Sequence, residues 1–129
     1  MLFVNASDRV LLLLRDDTPT IPFPNCWDVP GGHVEDGETP EQCIRREMLE
    51  EIEYDLGSPR LFQVYDFADR VEYAFWQRAD FDAARLPLHE GQRLQWFSER
   101  EIRRLKDSEV AFGLRDVILD FYRREPWRS

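Results

Sequence analysis

Residues 32–54 read GHVEDGETPEQCIRREMLEEIEY, a glycine-containing loop followed by the pattern of an amphipathic helix. Thr39 is a favourable N-cap, Pro40 suits the first helical position, and Gln42 completes a capping box. Apolar residues then recur at every fourth position, at Ile44, Met48 and Ile52. We therefore expect a helix from Thr39 to Ile52 that packs this stripe against the rest of the fold.

The same helix carries three glutamates at positions i, i+3 and i+4, namely Glu47, Glu50 and Glu51. At about 100° per residue, Glu47 and Glu51 lie about 40° apart around the helix axis, so the three carboxylates share one ridge. Like charges at this spacing destabilise a helix by roughly a few tenths of a kcal/mol per pair. Arg46 offsets part of the repulsion, and a hard divalent cation such as Mg²⁺ would offset more because it prefers oxygen ligands.

The loop before the helix can approach a ligand closely. Gly31 and Gly32 have no side chains, so their backbone can come near a metal ion or a phosphate. The chain can reverse at Gly37, which would bring Glu38 over the same helix. The sequence thus places a loop carboxylate beside the helical ridge.

This segment resembles the Nudix box, which reads G, five residues, E, seven residues, R-E-U-x-E-E-x-G-U, where U is a bulky apolar residue. The matching positions are Gly32, Glu38, Arg46, Glu47, Met48, Glu50, Glu51 and Tyr54. One position departs, because Glu53 stands where the family has a glycine that usually ends the helix in a left-handed conformation. A glutamate in that conformation costs about 1 kcal/mol, unless the helix ends differently.

The resemblance implies a fold and an activity. The fold is α/β (α+β), a Nudix α/β/α sandwich with a mixed β-sheet between helices and a loop–helix–loop catalytic motif over residues 32–54. The activity is that of a MutT-like pyrophosphohydrolase that uses Mg²⁺, or Mn²⁺ in its place, to cut a phosphoanhydride bond. Its substrate would be a nucleoside triphosphate, an oxidised deoxynucleoside triphosphate or a nucleotide sugar, and a nucleoside monophosphate would be released.

The resemblance also implies a metal site. Its ligands would be the carbonyl of Gly31 and the carboxylates of Glu47, Glu50, Glu51 and Glu90. Glu90 is included because residues 89–92 (HEGQ), followed by Trp96, resemble the MutT-like branch. Glu51 or Glu90 would act as the base, and Arg46 would orient the carboxylates. The alternatives are a solvated acidic helix face and, for Glu90, an exposed loop residue.

Four further residues are candidates for substrate binding: Arg15, His33, Glu38 and Phe75. Arg15 lies near the place where the family puts a phosphate-binding arginine, but it could equally be a strand-end arginine whose stem packs on the surface. His33 could donate to a phosphate or be structural. Glu38 could act at the metal, bond within its own loop or pair with Arg46. The aromatic candidates for stacking on a base, all of which could instead belong to the core, are Phe23, Trp27, Tyr73 and Phe75.

No subfamily mark in the sequence identifies the substrate. The branch that prefers oxidised guanine nucleotides reads the base with an asparagine near the start of the last helix. Here no asparagine follows Asn25, and residues 110–113 read VAFG. The ADP-ribose branch commonly has a proline about fifteen residues beyond the box, where this chain has ADR at residues 68–70. The choice among nucleotide substrates therefore stays open.

Apolar and alternating runs outside the box predict a set of strands. A hairpin joins Leu2–Val4 to Arg9–Arg15, a loop spans Asp16–Pro24, and Trp27–Val29 is a short strand. The remaining strands are Leu61–Phe67, Val71–Gln77 and Arg93–Phe97.

Two helices are expected after the last strand. Ser98 and Glu101 form a second capping box, which opens a short helix to about Lys106. A final helix is expected from about Ser108 to Arg124. Its apolar face consists of Val117, Ile118 and Phe121.

Composition limits the classes of protein to consider. A chain of 129 residues with 43% hydrophobic residues suits one domain over residues 1–129. The formal net charge of −9 disfavours nucleic-acid polymers, whereas metal ions could still bridge the protein to a small phosphorylated nucleotide. No apolar run predicts a membrane span, and the first residues do not resemble a secretory signal. Cys26 and Cys43 suggest reduced, buried thiols in a cytoplasmic protein. Either a monomer or a homodimer is expected.

Two other functions stay open. A catalytically silent Nudix domain would bind a nucleotide as a sensor, although such domains have usually lost box carboxylates and this chain retains all of them. An acidic protein–protein interaction module with an accidental box is the third reading. Turnover of nucleotides in the presence of Mg²⁺ distinguishes the enzyme from both.

Overall fold

The computed structural model describes residues 1–128 as six strands and three α-helices, with short 3-10 turns between some of them. The strands are β1 (Leu2–Val4), β2 (Val10–Leu14), β3 (Trp27–Asp28), β4 (Arg60–Asp66), β5 (Val71–Arg78) and β6 (Arg93–Phe97). The helices are α1 (Pro40–Ile52), α2 (Glu99–Arg104) and α3 (Leu114–Arg124). None of these helices is long and apolar enough to cross a membrane.

All six strands belong to one mixed sheet. β1 and β2 form the predicted antiparallel hairpin, and β1 pairs in parallel with β5, which places Leu2 opposite Trp76. β2 pairs along its whole length with β6 and at its end with β3, both antiparallel. β4 and β5 form an antiparallel pair with an irregularity between Leu61 and Gln63.

The sheet is buried on both faces because alternate side chains of its central strands enter two different cores. Leu2 and Val4 join a core that contains the predicted apolar face of α3. Phe3 lies in a second core, with the α1 stripe of Ile44, Met48 and Ile52. Helices therefore cover both faces of the sheet, and the α/β/α sandwich is confirmed.

Local signals fix both ends of α1. Thr39 caps the helix, and its hydroxyl accepts from the backbone N–H of Gln42 in a complete capping box. At the other end Glu53 adopts the left-handed conformation, with φ 52° and ψ 37°. Its N–H donates to the Leu49 carbonyl at 3.1 Å. The helix thus ends as it would with the family glycine, at a cost of about 1 kcal/mol.

The predicted start of the last helix at Ser108 is wrong, because α3 begins at Leu114. Val110 is extended and forms a parallel bridge with Trp27 at the edge of β3. Phe112 and Gly113 then take left-handed conformations with φ of 57° and 69°, which interrupt any helix before Leu114. A tertiary contact of Val110 therefore overrides the local helix signal.

Both cysteines are free thiols, but only one matches the expected burial. Cys43 is buried on α1, where burial raises the pKa of its thiol to about 11. Cys26 is half-buried in the loop before β3. The expectation of a buried thiol is therefore wrong for Cys26.

Candidate functional site

An open cleft of about 830 Å³ lies between α1, the first half of β5 and the segment before α3. The residues that line it include an acidic group, which we define as Glu47, Glu51 and Glu90. They also include an arginine–aromatic group, which we define as Arg15, Arg70 and Phe112. The cleft thus combines carboxylates with cationic and aromatic side chains, a mixture typical of sites for charged organic ligands.

Among residues 1–128, Glu51 is the one charged residue that is buried, with 6% of its surface exposed. Its Oε2 atom has no hydrogen-bond partner within residues 1–128. Burial, together with the negative charges of Glu47 and Glu90, raises the pKa of Glu51 to about 8. The positive group that opposes this shift is the N-terminal amine of Met1, and burial lowers the pKa of that amine to about 6. An ionised Glu51 therefore favours a proton or a further cation beside it.

Glu47 is held against the glycine loop. Its carboxylate accepts from Arg46 Nη1 at 3.0 Å, and 14% of its side chain is exposed. A Cβ atom on Gly32 would lie 2.2 Å from this carboxyl group. Burial raises the pKa of Glu47, although hydrogen bonding to Arg46 opposes the shift. Gly32 is thus required for the observed position of the Glu47 carboxylate.

Arg46 connects the helix to the loop. Its Nε and Nη2 atoms donate to both oxygens of Glu38, at 2.7 and 3.0 Å, and Nη2 also donates to the His33 carbonyl at 3.2 Å. The hydrogen bonds from Arg46, with one from the Glu35 N–H, lower the pKa of Glu38 to about 2. The loop thus returns Glu38 over the helix, where it bonds to Arg46 and to its own loop.

Glu50 differs from the other two carboxylates of the ridge. Its side chain is 59% exposed and accepts from Arg46 Nη1 at 3.2 Å. Within residues 1–128, Glu50 is not among the residues that line the cleft, and neither are Glu38 and Arg46. The helix spacing therefore places three glutamates together, while the packing of α1 buries Glu51 and leaves Glu50 in solvent.

Glu90 reaches the cleft because its neighbours are anchored. The His89 N–H donates to the Glu51 carbonyl at 2.9 Å, and the Gln92 N–H donates to the Leu14 carbonyl at 2.7 Å. Gly91 has φ 88°, and a Cβ atom there would lie 2.8 Å from Leu13 Cδ2. Glu90 therefore lines the cleft in the observed conformation of the loop.

Arg15, His33 and Phe75 all line the cleft, as does Tyr73. The guanidinium of Arg15 donates to Asp28 and to the Pro22 carbonyl, both at 3.0 Å. Arg15 is thus partly neutralised where it meets the cleft. The other two aromatic candidates pack on aromatic rings of the protein. Phe23 packs on Phe112 and Trp27 on Phe97, and the ring centroids of each pair lie 4.7 Å apart.

Comparison with known proteins decides the family. A family model described as the NUDIX domain matches residues 1–121. The chain belongs to the Nudix domain family. The resemblance of residues 32–54 to the Nudix box is therefore confirmed at the level of the family.

Relatives with assigned names match parts of this Nudix domain. An 8-oxo-dGTP diphosphatase from Proteus vulgaris is 48% identical over 46 residues, which cover 34% of this chain and 41% of that protein. An RNA pyrophosphohydrolase from Rickettsia conorii is 32% identical over 102 residues, which cover 75% of this chain and 55% of that protein. The chain thus spans about half the length of these curated relatives.

The Nudix fold is also found by structural comparison. The crystal structure of a mutT/nudix family protein from Listeria innocua superposes with a TM-score of 0.76 and 21% identity. The match covers 99% of this chain and 92% of the other. At this identity the comparison shows a common fold.

The side chains around Glu51 suit a metal ion by their chemistry. Among residues 1–128, no three Asp, Glu, His or Cys side chains are already gathered as a ligand set. Two features nevertheless suit a hard cation. The proposed ligands, the Gly31 carbonyl and the glutamate carboxylates, donate through oxygen, and the Glu51 oxygen without a hydrogen-bond partner is close enough to Glu47 and Glu90 for their charges to act on it. The residues therefore fit Mg²⁺ by chemistry, although not as a preassembled cage.

Several residues that line the cleft of this Nudix domain were not candidates from sequence, among them Asp28, Arg70 and Phe112. Burial raises the pKa of Asp28 despite its ion pair with Arg15. The Arg70 guanidinium lies over the Phe112 ring, 5.2 Å from its centroid, and donates to the Phe112 carbonyl. The position of Asp28 just before the glycine loop was an available signal, and so was Gly113 as a helix breaker beside Phe112.

Proposed function

We propose that this Nudix domain hydrolyses a phosphoanhydride bond in a nucleoside diphosphate linked to another group, with Mg²⁺ or Mn²⁺ as cofactor. The observation that carries the proposal is the environment of Glu51. Its carboxylate is 6% exposed, one of its oxygens has no partner in the described chain, and Glu47 and Glu90 add negative charge. A divalent cation would satisfy this site, and phosphate oxygens are the natural second half of its coordination shell.

Each residue has a proposed role in this reaction. The ligands would be the carbonyl of Gly31 and the carboxylates of Glu47, Glu50, Glu51 and Glu90. Glu50 has the freedom to join them because it is exposed. When bound, Mg²⁺ would lower the pKa of a coordinated water and neutralise charge on the phosphates.

The remaining roles belong to the protein's own side chains. Glu51 or Glu90 would accept a proton from the attacking water. Arg46 would orient Glu47 and Glu50, to which it already donates. Arg15 and His33, which line the cleft, would contact phosphate oxygens.

The substrate belongs to the same proposal. The named relatives suggest an oxidised deoxynucleoside triphosphate or the 5′ end of an RNA. Phe75 and Tyr73 provide aromatic surface in the cleft, and Arg70 provides a second cationic side chain there. That the chain does not act on nucleic-acid polymers stays a prediction, and RNA with a 5′-triphosphate is therefore one of the compounds to assay.

The test is a panel of nucleoside triphosphates, 8-oxo-dGTP, nucleotide sugars, ADP-ribose, dinucleoside polyphosphates and 5′-triphosphate RNA, assayed for phosphate or pyrophosphate release. We expect turnover of at least one compound with Mg²⁺ and none in excess chelator. Turnover that persists unchanged in chelator would overturn the metal mechanism. Tight binding of one nucleotide with no turnover of any compound would make the domain a nucleotide sensor instead.

A further inference from the structure

Glu53 and His89 form a contact between the end of α1 and the loop that carries Glu90. The Glu53 Oε2 and His89 Nε2 atoms lie 2.5 Å apart. Glu53 is also the residue that stands in place of the glycine of the Nudix box. The departure from the family pattern and the contact with the loop therefore involve the same side chain.

His89 attaches to α1 at two points. Its imidazole ring meets the Glu53 carboxylate, and its backbone N–H donates to the Glu51 carbonyl at 2.9 Å. A single bond would fix the distance of the loop from the helix, whereas two bonds also fix the direction in which the chain continues. The next residue along the chain is Glu90, so this attachment sets where its carboxylate enters the cleft.

The other side of Glu90 is anchored independently of Glu53. The Gln92 N–H bonds the Leu14 carbonyl, and the Gln92 side chain donates to the Arg15 carbonyl and to Asn25. Glu90 thus lies between an anchor on β2 and an anchor on α1. Of the two, the α1 anchor includes an exposed side-chain contact that a substitution can remove without touching the sheet.

The contact between Glu53 and His89 contributes little to global stability. Their side chains are 57% and 55% exposed, and ion pairs at such exposure are worth little because solvent screens them. Glu53 also occupies a left-handed conformation, φ 52°, that glycine adopts with less strain. A residue that is unfavourable for its helix end but bonded to a site loop points to a role in the site.

We propose that Glu53 is a positioning residue, which holds Glu90 in the cleft through its contact with His89. This inference rests on the proposed function, in which Glu90 takes part in hydrolysis. Glu53 itself does not touch substrate or metal in this scheme. Its effect is on the position of the Glu90 carboxylate and hence on turnover rather than on the affinity for nucleotide.

The first test restores the family residue with Glu53→Gly. We expect the variant to melt at the same or a higher temperature than the wild type, while kcat falls about threefold or more and KM changes less than about twofold. Glu53→Gln, which can still hydrogen bond His89, should keep kcat within about twofold of the wild type. Wild-type kcat in Glu53→Gly would overturn the proposal.

Glu125 provides a matched control at the end of another helix. It ends α3 in the same left-handed conformation, with φ 45°, and pairs with Arg128 rather than with a cleft loop. Glu125→Gly makes the same chemical change at the same kind of helix end, and we expect its kcat to be unchanged. An equal loss of kcat in both glycine variants would show a general effect of charge or stability and overturn the proposal.

A double-mutant cycle with Glu90→Gln tests whether Glu53 acts through Glu90. If it does, Glu53→Gly should lower kcat in the wild-type background but cause less than about a twofold further loss in Glu90→Gln. The same fold loss in both backgrounds would mean that Glu53 acts by another route. That result would overturn the proposed path through Glu90.

A readout without turnover separates this proposal from the proposed function. Hydrogen exchange of the His89 amide, measured without metal, should be about tenfold or more faster in Glu53→Gly and unchanged in Glu125→Gly. Unchanged exchange in Glu53→Gly would overturn the positioning role whatever the activity. If the wild type turned over no substrate while amide exchange was still faster in Glu53→Gly, the role of Glu53 in catalysis would be overturned. Its role in ordering the 89–92 loop would be retained.

Discussion

The surroundings of Glu51 favour the uncharged form of its carboxyl group. Burial is the main cause, and the charges of Glu47 and Glu90 add to it, so its pKa rises from 4.5 to about 8. The nearby guanidinium of Arg46 bonds Glu47, Glu50 and Glu38 and does not reach Glu51 in the observed arrangement. At neutral pH this carboxyl therefore holds a proton, unless a cation compensates its charge.

The raised pKa of Glu51 predicts a pH-dependent stability in the absence of metal. Between the unfolded pKa near 4.5 and the folded pKa near 8, the folded state binds the Glu51 proton more tightly, so the contribution of Glu51 to stability falls as pH rises through this window. The Met1 amine, whose pKa burial lowers from 8.0 to about 6, changes stability in the opposite direction, so the comparison with Glu51→Gln isolates the carboxyl group. The loss is on the order of a few kcal/mol, since one pKa unit corresponds to about 1.4 kcal/mol. The check is the urea midpoint from pH 5 to 9 in chelator, compared with Glu51→Gln. An equal decline in both proteins would contradict the assignment.

Gly32 is a second residue at which one added atom, a Cβ, would change the position of the Glu47 carboxylate. Gly32→Ala would place Cβ 2.2 Å from the Glu47 carboxyl, and the end of that flexible side chain must move. We expect a melting temperature within a few degrees of the wild type but a loss of about tenfold or more in kcat. Gly57→Ala is the control, because the nearest atom to its Cβ is 4.0 Å away. Similar kcat values for the two variants would remove Glu47 from the site.

At the level of elements, sequence and structure agree where the signals are local. The start of α1 follows from Thr39 and its capping box, and the buried stripe follows from periodicity. The start of α3 does not follow, because Val110 is drawn into a bridge with Trp27, a contact between distant parts of the chain. Local propensity cannot encode such a contact.

The same distinction applies to the candidate site. The helix spacing predicts the glutamate ridge, yet it cannot tell that Glu51 is buried and Glu50 exposed, since this depends on how α1 meets the sheet. Arg70 and Phe112 were missed because the turn between β4 and β5 and the segment before α3 come together only in the folded chain. Sequence thus predicts the donors, whereas the fold decides which of them share a cleft.

Gly91 tests the conformation of the loop that presents Glu90. Gly91→Ala combines a positive φ of 88° with a Cβ only 2.8 Å from Leu13. Gly37→Ala has a comparable φ of 79° and no atom within 4 Å of its Cβ, so it isolates the conformational cost. We expect Gly37→Ala to lose about 1 kcal/mol of unfolding free energy and Gly91→Ala at least about 1 kcal/mol more. Chemical denaturation measures both, and equal losses would show that the 89–92 loop does not pack on β2 as observed.

At the level of the whole molecule, a net charge of −9 opposes the binding of an anionic substrate. The cleft offsets the repulsion between the acidic protein and an anionic substrate in two ways. Its arginine–aromatic group supplies guanidinium donors, with Arg15 paired to Asp28 and Arg70 to Glu72. Its acidic group can recruit a divalent cation that phosphate oxygens then share. The two cores on opposite faces of the sheet position the segments that carry these groups, namely α1, the residues that follow β2 and precede β5, the 89–92 loop and the segment before α3.

The most direct test of the central claim is the turnover of Glu51→Gln on the best substrate of the panel, with saturating Mg²⁺. Glu41→Gln is the matched control, since Glu41 lies on the same helix but is exposed and paired with Arg45. We predict a loss of at least about 10²-fold in kcat for Glu51→Gln, with a folded protein, and wild-type kcat for Glu41→Gln. Near wild-type turnover in a folded Glu51→Gln would contradict the account and move catalysis away from the Nudix box.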